Sequence, residues 1–334
     1  MAQESTGWIN NPRLVREYIE ERRQQGQPAT FADARPDLSG FWRKTVESGI
    51  YAVLLYEGEK FLHGHYEPAI YQKRGTCVMQ GTFRAIETGY WWAIRKGLLV
   101  SKPVGIVSET IYAGGRVNIG RGQLGPSHPW GCGCGRCPDG MVGAWAAKYV
   151  HDYGVLARGV YGQFDLITPR EDLAIAWAAP ERGVPAELLE LSKTHRCDAY
   201  HIGSGNELAD VIAAGYGAAV CSTHRQSDRR DENGECGYAG PTAHCEAFTG
   251  VYLRPSWDGR PETIYDHTGM VDQQSWGNIP SGPDILRIYR GSAQLRHGAY
   301  GTPMRAVRPR MATGETWAFQ LRDGFRASSL QEAI

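Results

Sequence analysis

The sequence predicts an α+β fold in which helices come first and strands come later. Apolar residues recur at helical spacing after position 77, whereas short apolar runs after position 217 are typical of strands. The 42 glycines and 18 prolines imply many turns, which favours a loop-rich α+β protein over a helical bundle. With 334 residues and 42% hydrophobic content, the chain can bury one large core or two modest ones.

Several segments carry helix signals. The first begins with Asn11 as N-cap and Pro12 at the first helical position, and the charged residues that follow indicate an exposed face or an arm that docks a partner. A long buried helix begins at Cys77. Further helices are predicted at 144–153 and 206–214. We expect two irregular segments, a linker at 26–37 and an extended path at 57–71.

The remaining elements read as strands, and together the pattern suggests two lobes with a cleft between them. The predicted strands are 50–56, 218–222, 245–253, 263–266, 285–289 and 305–307. The segment from 311 onward has no clear pattern. The division we predict is an amino-terminal arm and linker at 1–60, a two-lobed domain at 61–310 (helical lobe about 66–165, β-rich lobe about 195–310), and a carboxy-terminal tail at 311–334.

The charge balance argues against several classes of function. Lys and Arg total 36, as do Asp and Glu, so the net charge suggests neither a nucleic-acid partner nor a membrane surface. No stretch approaches the roughly 18 apolar residues that cross a bilayer, and residues 1–11 contain no apolar run of a secretory signal. We therefore expect a cytoplasmic or assembly-associated protein whose eight cysteines are reduced by default.

A cysteine at the start of a helix has the features of a nucleophile. Cys77 follows Gly75, which permits a tight turn that points the sulfur and the first helical N–H groups toward one spot. A helix amino terminus and a cationic imidazole each lower a thiol pKa from its ordinary value of about 8.5. The same N–H groups are natural donors to an oxyanion. Cys77 is therefore our candidate nucleophile.

His244 and Gln274 provide the other groups that such a site needs. His244 precedes an apolar strand that would fix the imidazole in place, so we expect it to act as the base. A side-chain amide can hold the second ring nitrogen without adding a charge, and Gln274 can supply it. Trp276 would cover that contact and keep water away.

The order of these segments resembles that of the papain-like cysteine peptidases, over roughly 66–307. Gly75-Thr76-Cys77-Val78 resembles the nucleophile segment of that family, and residues 243–251 resemble its histidine strand. Gln274-Ser275-Trp276-Gly277 is similar to its amide turn. Residues 139–146 are similar to the glycine-rich segment that lines its substrate cleft.

This resemblance implies a two-lobed papain-like fold, with the cysteine on the helical lobe and the histidine and amide on the β-rich lobe. It implies a peptidase that acts on peptides or proteins and needs no metal or other cofactor. The roles it assigns are Cys77 as nucleophile, His244 as base, Gln274 as the residue that orients it, Gln72 with the Cys77 amide at the oxyanion, and Gly140 and Trp276 at the substrate.

Three departures from the family pattern leave other hypotheses open. Gln274 stands where the family has Asn, Gln72 lies five positions before the cysteine instead of six, and Val78 replaces the usual Trp. They indicate a distant bacterial or phage-type branch. The main rival is a weak or inactive papain-like structural subunit of an assembly such as a phage particle, held through the amino-terminal arm. An amidase or transglutaminase-like enzyme would use the same residues.

Two further sets of residues compete for a role. The first is a cluster formed by His128, Cys132, Cys134 and Cys137. It could bind zinc tetrahedrally, form disulfides internally or with Cys197 or Cys236, or remain reduced. The second is His224, which also follows a predicted strand and rivals His244 as the base. The apolar continuation after His244 favours His244.

Overall fold

A computed structural model describes residues 7–65, 74–101, 104–125, 139–230, 235–255, 261–268, 303–306 and 314–322. They form α-helices together with a largely antiparallel sheet, as the predicted α+β class requires. The boundaries of the arm, lobes and tail stay a prediction.

The helices lie mainly in the first two thirds of the chain. They are α1 (Pro12–Gln24), α2 (Phe31–Ala34), α3 (Phe41–Glu47), α4 (Glu57–His63), α5 (Cys77–Arg95), α6 (Glu109–Gly114), α7 (Gly143–Asp152), α8 (Glu171–Trp177), α9 (Ala186–Ser192) and α10 (Gly205–Ala213). A short 3₁₀ helix at Pro36–Leu38 and a π-helical turn at Gly115–Ile119 are also present. Among the described residues, no helix combines the length and the hydropathy needed to cross a membrane.

The strands form one large sheet and a small hairpin. They are β1 (Ala52–Leu54), β2 (Val160–Tyr161), β3 (Phe164–Asp165), β4 (Cys197–His201), β5 (Gly217–Arg230), β6 (Glu235–Pro255), β7 (Pro261–Thr268), β8 (Pro303–Ala306) and β9 (Glu315–Leu321). The seven-stranded sheet has the order β4-β9-β5-β6-β7-β8, with β1 also paired to β6. β2 and β3 form the hairpin.

Helix α5 is the central helix and lies directly on the sheet. Its apolar positions from Val78 to Trp91 are buried, as predicted, whereas Ile94 is half-buried, and the helix contacts β5, β6 and β9. Two glycines allow this close approach, because a Cβ atom on Gly81 would lie 3.1 Å from Cys245 Sγ and one on Gly89 would lie 3.2 Å from Gly217 N. The helix that carries Cys77 is therefore held against the strands by backbone-to-backbone packing.

Two charged residues of α5, Arg84 and Glu87, are buried although they lie on other faces than its apolar positions. Both are 4% exposed. The Arg84 guanidinium lies 3.1 Å from Glu87 and 3.2 Å from Glu59 on α4, and the Glu87 carboxylate accepts the Ile106 N–H at 2.6 Å. Burial is tolerated because the one guanidinium lies against both carboxylates and because burial raises the pKa of Glu87.

Two segments that we expected to be irregular contain helices. Within the expected linker, Thr30 is the N-cap of α2, and its side chain and backbone exchange hydrogen bonds with Asp33 in a capping box. Within the expected extended path, α4 carries Glu57 in its first turn and ends at Gly64, whose φ of 76° is left-handed. The caps were present in the sequence, but the helices are too short for periodicity to reveal them.

The amino-terminal helix begins as predicted and contacts its own chain. Asn11 caps it by accepting the Leu14 N–H at 3.2 Å. Arg22, 3% exposed, donates to the carbonyl of Ala199 on β4 at 2.7 Å, and Lys148 of α7 lies 2.5 Å from Glu21. The charged face thus includes residues that dock the helix onto the sheet and α7.

A strand near the carboxy terminus joins the same sheet. Residues 315–321, in the segment whose structure the sequence left open, form β9 between β4 and β5. Trp317 lies opposite both His201 and Ala219, and is 1% exposed. The predicted strand at 285–289 lies outside the described residues.

The default of reduced cysteines is wrong for one pair. Cys221 on β5 and Cys245 on β6 are directly opposite in the antiparallel register and form a disulfide. The register of two neighbouring strands decides which of their cysteines lie opposite each other. The sequence did not reveal this register, so it gave no sign of the disulfide. Cys77 and Cys197 are buried thiols.

We predict that Arg84→Ala destabilises the protein by about 3–5 kcal/mol, because it leaves two carboxylates buried without a cation. The pKa of Glu87 is raised, chiefly by burial, while Arg84 opposes the shift. Without Arg84 the pKa of Glu87 in the folded protein is higher still, so the folded state keeps a proton that the unfolded state has released. The loss of stability should therefore increase as the pH rises from 5 to 8. Urea unfolding measures both effects. The control Arg13→Ala removes an exposed ion pair with Glu17, and the free energy of unfolding should not change.

Candidate active site

Cys77 is the first residue of α5 and lies against β6. Its side chain is fully buried. The thiol receives the backbone N–H of Val78, in its own helical turn, and that of Cys245 on the strand. Since Cys245 directly follows His244, this contact brings the main chain beside the candidate base to the candidate nucleophile.

His244 is half-buried and lies on β6 opposite Ser222 of β5. The neighbouring disulfide fixes the strand at this point. The rival base, His224, pairs with Pro241, three residues along β5 from Cys221. At a rise of about 3.3 Å per residue, that is roughly 10 Å farther along the sheet from the strand position that touches the thiol. The placement of the backbone therefore favours His244 over His224.

Burial decides the protonation of Cys77. It raises the pKa of the thiol well above its ordinary value, and the negative charges of Asp139 and Glu246 act in the same direction. The N–H groups of Cys245 and Val78 oppose this shift but do not outweigh it. The helix terminus alone had led us to expect a lowered pKa. Because the thiol is closed off from water, burial favours its protonated form.

The loop before Cys77 is held by two carboxylates. Asp139 accepts the Gly75 N–H at 2.6 Å. Glu171, at the start of α8, accepts the Thr76 hydroxyl at 2.6 Å and the Arg74 N–H at 3.2 Å. Three consecutive residues ahead of the thiol are thus anchored by charged acceptors, which form strong hydrogen bonds.

Asp139 belongs to a larger buried network, which we call the Asp139 network: Asp139, Gly75, Tyr112 and Gly140. The Tyr112 hydroxyl donates to Asp139 Oδ1 at 2.9 Å, and the Gly140 N–H reaches the same oxygen at 3.1 Å. Arg116, in the π-helical turn, donates to the Gly140 carbonyl. Sequence reasoning assigned Gly140 to the substrate but gave no role to Asp139, because nothing in the sequence pairs it with Gly75.

A short segment near the amino terminus, Gly7–Ile9, lies across this site. The Ile9 N–H donates to the Met141 carbonyl at 3.0 Å, and the Met141 N–H donates to the Gly7 carbonyl at 2.9 Å, which forms a parallel bridge. On the other side, the Trp8 N–H reaches the carbonyl of Ala243 at 3.4 Å. Ala243 directly precedes His244, so the segment joins the glycine-rich segment to the histidine strand.

The Trp8 side chain is buried beside this bridge. Its indole Nε1–H donates to Glu315 Oε1 at 2.8 Å, and Trp317 donates to the other oxygen at 2.9 Å. The Gly143 N–H also reaches Oε1, at 2.8 Å. Burial raises the pKa of Glu315, while these donors lower it in part. The sequence offered no sign of this contact, since Trp8 and Glu315 lie near opposite ends of the chain.

Several site residues proposed from the sequence lie outside the described residues. They are Gln72, Gln274 and Trp276, together with the cluster from His128 to Cys137. Their roles stay predictions. Within the described ranges, no group of three His, Cys, Asp or Glu residues is arranged to hold a metal ion.

No protein-family model and no curated protein sequence matches the chain. Solved structures with some likeness include proCathepsin B S9 from Trypanosoma congolense, with a TM-score of 0.39, 11% identity, and coverage of 81% of this chain and 77% of that one. Procathepsin L 3 of Tenebrio molitor larval midgut gives 0.36, 16%, 92% and 99%. The proform of the Amb a 11 cysteine protease, a ragweed pollen allergen, gives 0.36, 13%, 80% and 63%. These neighbours are proforms of papain-like cysteine proteases.

We predict that Gly75→Ala disrupts the site. A Cβ atom there would lie 2.9 Å from both Asp139 Cγ and Gly7 Cα, so the loop must shift, at a cost of about 1–3 kcal/mol. The melting temperature should fall, and the rate of Cys77 alkylation should differ from that of the wild type. The matched control is Gly203→Ala, where the nearest atom lies 3.5 Å away and both readouts should stay as in the wild type. Wild-type stability and reactivity in the Gly75→Ala variant would contradict this account of the loop.

Proposed function

We propose that the chain is a papain-like cysteine peptidase that hydrolyses peptide or amide bonds through Cys77. One observation carries the proposal: the thiol begins a buried helix and receives the N–H of Cys245, the residue after His244. A nucleophile, a histidine beside it and helix N–H groups at one point are what thiol-dependent acyl transfer requires. The likeness of the segment order to the papain-like family agrees with it.

In the proposed reaction, His244 removes the proton from the Cys77 thiol, and the sulfur attacks the carbonyl carbon of the substrate. The backbone N–H of Cys77, with Gln72, stabilises the oxyanion of the tetrahedral intermediate. The intermediate collapses when the C–N bond breaks and His244 returns the proton to the leaving amine, which leaves a thioester. Water, deprotonated by His244, then hydrolyses the thioester. Gln274 orients His244 throughout.

The proposed peptidase is closed in this structure. Gly7–Ile9 occupies the space between Met141 and Ala243, and Cys77 is fully buried. A peptide reaches the thiol only after this segment leaves. Its departure would also admit water and lower the burial that raises the pKa of Cys77. Activity therefore depends on opening.

The same closure supports the second candidate, a structural subunit with a papain-like fold that performs no chemistry. A permanently buried, protonated thiol would be only a core residue. The replacement of the family's Asn by Gln274 points the same way. In this case the partner is a protein assembly reached through the amino-terminal arm, and neither nucleic acid nor a membrane is involved.

We predict that native protein treated with limiting iodoacetamide near pH 6 is labelled first at Cys77, because opening of the site exposes the thiol and an adjacent imidazolium then stabilises the thiolate. Peptide mapping by mass spectrometry identifies the site. His244→Ala should abolish the selectivity, and Cys77→Ser should abolish hydrolysis of a peptide library. Cys197→Ser, which removes the other buried thiol, is the matched control and should retain both. Labelling of Cys77 only after unfolding would favour the structural subunit.

We predict that Trp8→Phe opens the site. The change keeps an aromatic ring but removes the Nε1–H donor to buried Glu315, at a cost of about 1–3 kcal/mol. If this cost falls on the closed state, the open population rises roughly 5- to 150-fold. Alkylation of Cys77 and peptide hydrolysis should rise together. Trp42→Phe is the control, because Trp42 on α3 is also buried but its hydrophobic cluster does not include Trp8. Equal rates in the two variants would contradict the opening step.

A further inference from the structure

We propose that Asp139 is a positioning residue for Cys77 and acts through Gly75. This inference rests on the proposed function, since it concerns how the nucleophile is held. The carboxylate is 4% exposed and its oxygens bond to three elements: the loop before the thiol, helix α6 through Tyr112, and the glycine-rich segment through Gly140. It is not among the residues that the family resemblance assigned.

The geometry leaves little freedom at the junction. Gly75 packs so closely that a Cβ would lie 2.9 Å from Asp139 Cγ and 3.0 Å from Gly140 N. The bond of 2.6 Å from Gly75 N is among the shorter hydrogen bonds to a carboxylate. Because Gly75 is two residues before Cys77, Asp139 sets where α5 begins relative to the segment bridged by Gly7–Ile9.

The network also keeps the two walls of the site in register. Gly140 N–H reaches Asp139 Oδ1 at 3.1 Å and the Tyr112 hydroxyl at 3.2 Å, and its carbonyl accepts from Arg116. Met141, the next residue, makes both hydrogen bonds of the bridge to Gly7–Ile9. One carboxylate therefore connects the nucleophile loop to the strand segment against which a substrate main chain would lie.

A neutral side chain such as asparagine could keep the bond to the Gly75 N–H, so the charge of Asp139 has a separate effect that can be measured. The charge lies close enough to Cys77 to disfavour the thiolate. Among the residues that the structure describes, the charged or titratable groups on the elements around the thiol include Arg74, Tyr112, Arg116, Asp139, Glu171, His244, Glu246 and Glu315. Removal of the Asp139 charge should therefore shift the reactivity of Cys77 toward lower pH, whatever the change in stability.

The test compares Asp139→Asn with Asp210→Asn in the full chain. Asp210 is a matched control: it is 9% exposed and accepts two backbone N–H groups, from Gly40 and Trp42, each at 2.8 Å. Asparagine at 139 can keep its carbonyl on the Gly75 N–H and turn its amide toward the Tyr112 hydroxyl. The Gly140 N–H loses its bond to residue 139 but keeps the Tyr112 oxygen as acceptor. The fold should survive, and the main change is the loss of the charge.

We expect the pH profile of Cys77 alkylation by iodoacetamide, mapped by mass spectrometry, to shift to lower pH in Asp139→Asn and to stay unchanged in Asp210→Asn. The profile of Cys197 in the same samples should not move. A second variant, Asp139→Leu, removes the acceptor as well, and kcat for peptide hydrolysis should fall roughly 10- to 100-fold through misplacement of the thiol. Asparagine should restore most of that loss.

If both Asn variants lower the melting temperature and neither moves the Cys77 profile, Asp139 is only structural and the inference fails. The alkylation profile does not require hydrolysis, so it can be read even if the wild-type chain cleaves no peptide. Absence of cleavage with a shifted profile would overturn the proposed function alone. Cleavage with an unshifted profile would overturn this inference alone.

Discussion

The contact between the start of α5 and strand β6 is the constraint on which the rest of the site depends. The thiol of Cys77 takes the N–H of Cys245, and Gly81, one helical turn later, lets the Cys245 sulfur approach where any side chain would intrude. Since the disulfide to Cys221 ties β6 to β5, the helix start is packed against a strand that cannot slide. The placement of the His244 backbone, one residue before the Cys245 N–H that meets the thiol, is a consequence of this packing.

The burial that creates this contact also opposes the proposed chemistry. A thiol removed from water prefers its protonated form, and the nearby carboxylates Asp139 and Glu246 strengthen that preference. Closure by Trp8 and closeness to Asp139 therefore act in the same direction: both favour the protonated thiol of Cys77. In the proposed peptidase, opening and reactivity are coupled because one event changes both access and solvation.

Local signals in the sequence identified some elements and missed others for definable reasons. The cap at Asn11, the helix from Cys77 and the apolar strand after His244 follow from residues close in the chain. By contrast, the burial of Arg84 depends on Glu59, which lies on another helix. The helix Phe31–Ala34 and the helix Glu57–His63 were missed because they span about one or two turns, too few for a period to appear.

The sequence by itself determined the α+β class, the helix that begins at Cys77 and the order of the candidate nucleophile and base, because each is written in neighbouring residues. Only the tertiary structure decided that Trp8 reaches Glu315, that Asp139 holds Gly75, and that burial raises the pKa of Cys77 where a helix terminus alone would lower it. These depend on residues distant in sequence meeting in a low-dielectric interior, and no local pattern encodes such meetings.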